Sequence, residues 1–153
     1  MSSTRLRTTR IVLAALGCLA SVASGQEGTP LVSKLDPAWD RLAQSNATFL
    51  TEEQQQLLND LAFAAAASEV CKGFTVDRDA FKKGFDAFRS DRYMELPLEK
   101  RREFEYRLLV NFGATAALYT AEGLLYPKQG CASAEKKRSQ GPGRFWVAPA
   151  PDR

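Results

Sequence analysis

The chain has 153 residues, a formal charge of +3 and no histidine. Without imidazole, the Ser-His-Asp and Cys-His arrangements, the common zinc sites and haem ligation through histidine are excluded. Residues 1–25 hold three arginines and no acid, so the rest of the chain is formally neutral, which argues against general affinity for nucleic acid or anionic membrane.

The N-terminus reads as an export signal. Arg5, Arg7 and Arg10 precede the apolar run Ile11 to Ala23, and Ala23-Ser24-Gly25 supply small residues before the polar Gln26-Glu27. The run is too short for a membrane span, which needs about 20 apolar residues. Cleavage is expected after Gly25 or Ala23. A lipoprotein reading at Cys18 is weaker, because Ala15 stands where a leucine is required and the apolar run would shrink to seven residues. The expected address is extracytoplasmic, a bacterial periplasm ahead of other secretion routes. Residues 26–34 read as a flexible N-terminal segment.

From residue 35 to 131 the chain shows helical periodicity and one small core's worth of apolar residues. Asp36 and Pro37 open a short first helix with Trp39, Leu42 and Ala43 on one face, ending near Ser45-Asn46. Thr51-Glu52-Glu53-Gln54 predicts a capping box. The second helix follows with Leu57, Leu58, Leu61, Ala65, Ser68 and Cys71 at helical spacing and Gly73 as its stop. Asp77 is the expected N-cap of a third helix whose Phe81, Phe85 and Phe88 form an apolar stripe.

The fourth and longest helix runs from Pro97 to Tyr126, where Pro127 is read as its end. Phe104, Leu108, Phe112, Thr115 and Tyr119 line one side, flanked by Leu109, Ala116 and Leu125. The small residues Gly113-Ala114 and Ala116-Ala117 are expected to seat the alanines of the second helix. Glu103 is expected to pair with Arg107 in a solvated, densely charged first section.

Cys71 and Cys131 remain after signal removal and predict one disulfide across the body. Residues 132–153 form a basic tail rich in Gly and Pro, expected to be mobile. Within it Arg144, Phe145 and Trp146 have three readings: the aromatics fold back over an apolar groove, the three residues recognise a partner, or the motif has no role.

The fold expectation is therefore all-α: a small bundle of about four helices, stapled by one disulfide, with a mobile C-terminal tail. No catalytic residue, metal site or cofactor site is read from the sequence. Asp77 and Asp79 begin like a calcium loop, but the remaining ligands and the central glycine are missing, so they read as a cap and a first-turn acid. The expected function is a small exported interaction or accessory protein without catalytic activity. Its partner would be another extracytoplasmic protein reached through the tail, with no nucleic acid and no membrane span in the mature chain. Two alternatives stand beside it. One is a periplasmic stress chaperone that exposes apolar helices at low pH, through carboxylates near pH 4 to 5. The weaker one is a carboxylate-dependent cell-wall hydrolase.

Overall fold

The fold follows from where helices can start, where they must stop, and which faces they bury. The computed structural model describes residues 35–140 and 145–147. Residues 1–25, expected to be an export signal, together with residues 26–34, Arg144 and the tail beyond Val147, lie outside the described residues. Six helices and no strand are found among those described: α1 (Asp36–Ala47), α2 (Glu52–Val70), α3 (Arg78–Asp86), α4 (Asp91–Met94), α5 (Leu98–Leu125) and α6 (Pro127–Ser139). The all-α class stands, and the helix number is corrected from about four to six.

The predicted caps form where side chains can reach free amides. Thr51 accepts from the Gln54 amide while Gln54 Oε1 accepts from the Thr51 amide at 3.1 Å, a complete capping box. Asp77 accepts from the amides of Asp79 and Ala80, both at 3.0 Å. Asp36 does not cap: it is the first helical residue, and Leu35 holds the cap position without a side-chain bond. The chain leaves α2 through Cys71 and turns at Gly73, whose φ of 81° lies in the left-handed region that glycine enters without steric cost.

The two helices absent from the expectation have separate causes. α4 is a single turn placed between α3 and Pro97, too short to carry a period. α6 begins at Pro127 itself. Proline cannot continue α5, but its missing N–H and fixed φ suit the first position of a new helix, so one residue, Tyr126, serves as hinge between the two. Order thus continues past Cys131 through residues 132–139, and Ala134 is fully buried. This corrects the expectation of a tail that is mobile from residue 132.

α6 lacks an apolar stripe, and two of its cationic heads lie over aromatic rings of the body instead. Lys137 Nζ lies 4.9 Å from the Phe63 ring centroid and pairs with Asp60 at 2.9 Å. The Arg138 guanidinium stacks 4.4 Å over Phe74 and donates to the Gly73 carbonyl at 3.2 Å. A cation over the face of an aromatic ring is attracted by the ring's quadrupole, so these contacts help to hold α6 without large apolar side chains.

The central pair is α2 against α5, the largest interhelical interface, with α1 and α6 packed around it. Leu58, Leu61 and Phe88 are fully buried, and burying each such side chain contributes about 2–3 kcal/mol. The close approach of the two helices is made at Gly123, where an added Cβ would stand 3.3 Å from both methyls of Val70. Gly113, Ala114 and Ala117 are instead exposed, which corrects their predicted role as the seat for the alanines of α2. Those alanines take a different neighbour. Trp146 Nε1 donates to the Ala64 carbonyl at 3.1 Å.

A disulfide joins Cys71 to Cys131, with Cα atoms 5.5 Å apart and 60 residues between them in sequence. It ties the end of α2 to the second turn of α6. Closing a loop of that size is worth about 4 kcal/mol in the chain-entropy account.

Candidate functional site

Phe145 and Trp146 sit inside the body. They are 3% and 6% exposed, and both belong to the main core cluster. The Phe145 carbonyl accepts from the Asp77 amide, and the Val147 amide donates to the Thr75 carbonyl, both at 2.9 Å. Val76 and Trp146 thereby form an isolated antiparallel bridge. Trp146 meets Phe74 and Phe63 edge-on, with ring centroids 5.0 and 6.2 Å away. Phe145 lies over Gly84, where an added Cβ would come within 2.9 Å of both its ring and Leu61. In this fold the pair fills a groove between α2 and α3, so partner recognition by these two rings requires their release from the core.

The surface that stands out is on α5. Its inner face carries Leu108, Asn111, Thr115 and Gly123, all buried. Asn111 Nδ2 donates to Asn46 Oδ1 at 2.8 Å and to Ser45 Oγ at 3.1 Å, and Thr115 Oγ1 donates back to the Asn111 carbonyl at 2.7 Å. These bonds leave the buried polar groups of the α1–α5 contact partnered, as burial requires.

The outer face is apolar as well. Tyr106 is 71% exposed, Leu109 60%, Val110 49% and Leu124 68%, and between them lie the exposed Gly113, Ala114 and Ala117. Successive positions at three- and four-residue spacing keep this stripe on one side for about 28 Å. Only two charges occur from Tyr106 to Leu124, and both are engaged by neighbouring residues. Arg107 lies 4.2 Å over the Phe49 ring and donates to Thr48 Oγ1. Glu122 accepts from Trp39 Nε1 at 2.6 Å. A solvent-facing helix side ordinarily carries a charge at nearly every turn.

The stripe continues sideways into a groove of about 630 Å³ between α1 and α5, lined by Pro37, Ala38, Arg41, Leu42, Ala114 and Ala117. Among the described residues α5 is also the one helix long and apolar enough, by length and composition, to cross a membrane.

A second hollow of about 530 Å³ lies between the α1–α2 turn, α4 and the start of α5, with Phe49, Phe88, Tyr93 and Phe104 in its wall. Several charged groups in and beside it are paired. Lys100 binds Glu103 at 2.7 Å, in place of the expected Glu103–Arg107 pair. Glu105 accepts from Tyr93 Oη at 2.6 Å and from Arg89 at 3.2 Å. The Tyr93 hydroxyl bond, helped by Arg89, holds the Glu105 carboxyl below its ordinary range, and the same bond raises the Tyr93 phenol. Burial raises Tyr119, with Glu122 adding to the effect. Asp86 is lowered by its bond to Lys82. Among the described residues no group of three metal-ligating side chains is found.

The outer face of α5 was legible in part. Leu108 to Ala121 is a run of fourteen residues without a charge, more than one buried side of a helix uses. Assigning only one apolar side to that helix hid the second. No protein-family model, curated protein or solved structure matches the chain, so its function has to be argued from its own residues.

Proposed function

We propose that the chain is a small exported interaction protein without catalytic activity, and that its working surface is the outer face of α5. One observation carries this reading: an uncharged, solvent-exposed stripe from Tyr106 to Leu124 on the longest helix. An apolar patch of several hundred Å² is about the largest that a monomer's surface carries, and such patches are often functional. Export rests on the arginines, the apolar run and the small residues of the first 25 positions. The tail motif Arg144-Phe145-Trp146 is a weaker surface for this purpose, since its two rings are buried.

A photo-reactive phenylalanine at Leu109 of the full chain, expressed in its native cell, tests the reading. Defined protein adducts are expected from position 109 and not from position 82, which is exposed on α3. Equal labelling from both positions would remove it.

A second reading, a chaperone active at low pH, draws on one specific feature. Glu105 ties Tyr93 and Arg89 to the start of α5, and protonation would dissolve that tie. Increased binding of an apolar dye below pH 4, with suppression of client aggregation, is the expected behaviour; unchanged dye binding down to pH 3 would exclude it.

A further inference from the structure

Building on the reading of α5 as a docking face, we propose that its occupant is a second copy of this chain, packed antiparallel about a two-fold axis through Gly113–Ala117.

The order of residue sizes along the stripe suits this partner. Large side chains stand at both ends, Tyr106, Leu109 and Val110 at one and Leu124 and Leu125 at the other. Gly113, Ala114 and Ala117 occupy the middle. Two helices that cross make their closest approach at one point, where small residues are needed, and diverge on either side, where large ones fill the widening gap. A two-fold axis near position 115 places Val110 of each copy over Ala121 of the other, and Tyr106 beside Leu124 and Leu125. The stripe is thus complementary to its own reverse, as an isologous interface requires.

Area and charge agree with that choice. The exposed parts of the five large side chains amount to about 600 Å² per copy, and the alanines and the α1–α5 groove bring it close to the 800 Å² per partner of a stable dimer. The stripe offers no charge to steer or select a charged partner. Packed on itself it brings no like charges together between Tyr106 and Leu124, because Arg107 and Glu122 are bound to α1 and to the turn after it. A parallel arrangement would bring the charged first turns, Glu99 to Glu103, against each other and align the helix dipoles. The antiparallel one avoids both.

The test uses the full chain expressed with its own N-terminus and purified in the form recovered, with molar mass measured by light scattering and sedimentation from about 1 to 100 µM. Twice the chain mass is expected. Ala117→Arg places a charge at the crossing point, and its dimer should be at least about tenfold weaker while its helical circular dichroism stays unchanged. With mild oxidant, Ala114→Cys should cross-link to its own copy. Tyr106→Cys should cross-link only when mixed with Leu125→Cys.

A dimer that survives Ala117→Arg uses another surface and overturns the proposal. A monomer at all concentrations whose position-109 probe captures a different protein overturns the second copy and leaves the docking face standing. A monomer that sediments with phosphatidylglycerol and phosphatidylethanolamine vesicles makes the stripe a lipid contact and overturns the proposal. A monomer with neither adduct nor vesicle binding overturns both the second copy and the docking face.

Discussion

Trp146→Ala isolates the contribution of the C-terminal segment to the fold. Trp146 is 6% exposed, so it buries nearly all of a surface that for tryptophan amounts to about 230 Å². At about 25 cal/mol per Å², and after subtracting what alanine would still bury, the loss is about 3–4 kcal/mol. That agrees with the usual 3–5 kcal/mol for removing a buried large aromatic. The Nε1 bond to Ala64 adds little to the total, since the Ala64 carbonyl also accepts from Ser68 Oγ at 2.9 Å. An upper limit comes from the chain itself. The segment can detach from the body, so the loss cannot exceed the free energy of docking it, to which the hydrogen bonds at Asp77 and Val147 and the two rings contribute.

For a domain of about 100 residues, 3 kcal/mol corresponds to a fall in Tm of about 12–20 °C. Thermal unfolding followed by circular dichroism at 222 nm measures it. Fluorescence of the remaining Trp39 checks that α1 stays packed. Truncation before residue 141 should cost at least as much, because Phe145 is lost too. A Tm within about 3 °C of wild type for both variants would show that the segment does not belong to the core, and would return Phe145 and Trp146 to the surface as recognition residues.

Three further outcomes are expected. The native protein should titrate no free thiol at Cys71 or Cys131, and reduction should lower stability by about 4 kcal/mol, read as a shift in the urea midpoint; two reactive thiols without reductant would contradict the bridge. Gly84→Ala should cost about 1–3 kcal/mol, because its methyl would stand 2.9 Å from Leu61 and from the Phe145 ring; a neutral effect in urea melts would mean that Phe145 is not seated there. Stability should be flat from about pH 5 to 9 and fall on either side. Glu105, Glu103 and Asp86 have lowered folded pKa values, so their contribution is present above the unfolded carboxylate range and lost as pH falls through the folded values. Tyr93 and Tyr119 have raised values, so theirs is present below the unfolded phenol pKa near 10 and lost as pH rises above it. A transition near pH 6.5 in urea midpoints would contradict this, since no histidine is present.

Local rules written in the sequence determined the helical class, the capping box at Thr51, the cap at Asp77 and the turn at Gly73. Each depends on residues within a few positions of one another, so periodicity and side-chain chemistry suffice. The pairing of Cys71 with Cys131 was also legible, because only two cysteines follow residue 25, where the expected signal ends. Tertiary packing decided the rest. Pro127 ends one helix and begins another, and the difference between a stop and a start lies in whether Ala134, Lys137 and Arg138 find α2 and Phe74 to cover. Phe145 and Trp146 carry no local signal of burial; their place depends on a groove assembled from α2 and α3, distant in sequence. Both apolar sides of α5 were present in its residues, but which side faces the core was settled only by Gly123 meeting Val70 and by Asn111 reaching Asn46. Helix periodicity specifies that a face exists, and the partner that buries it comes from elsewhere in the chain.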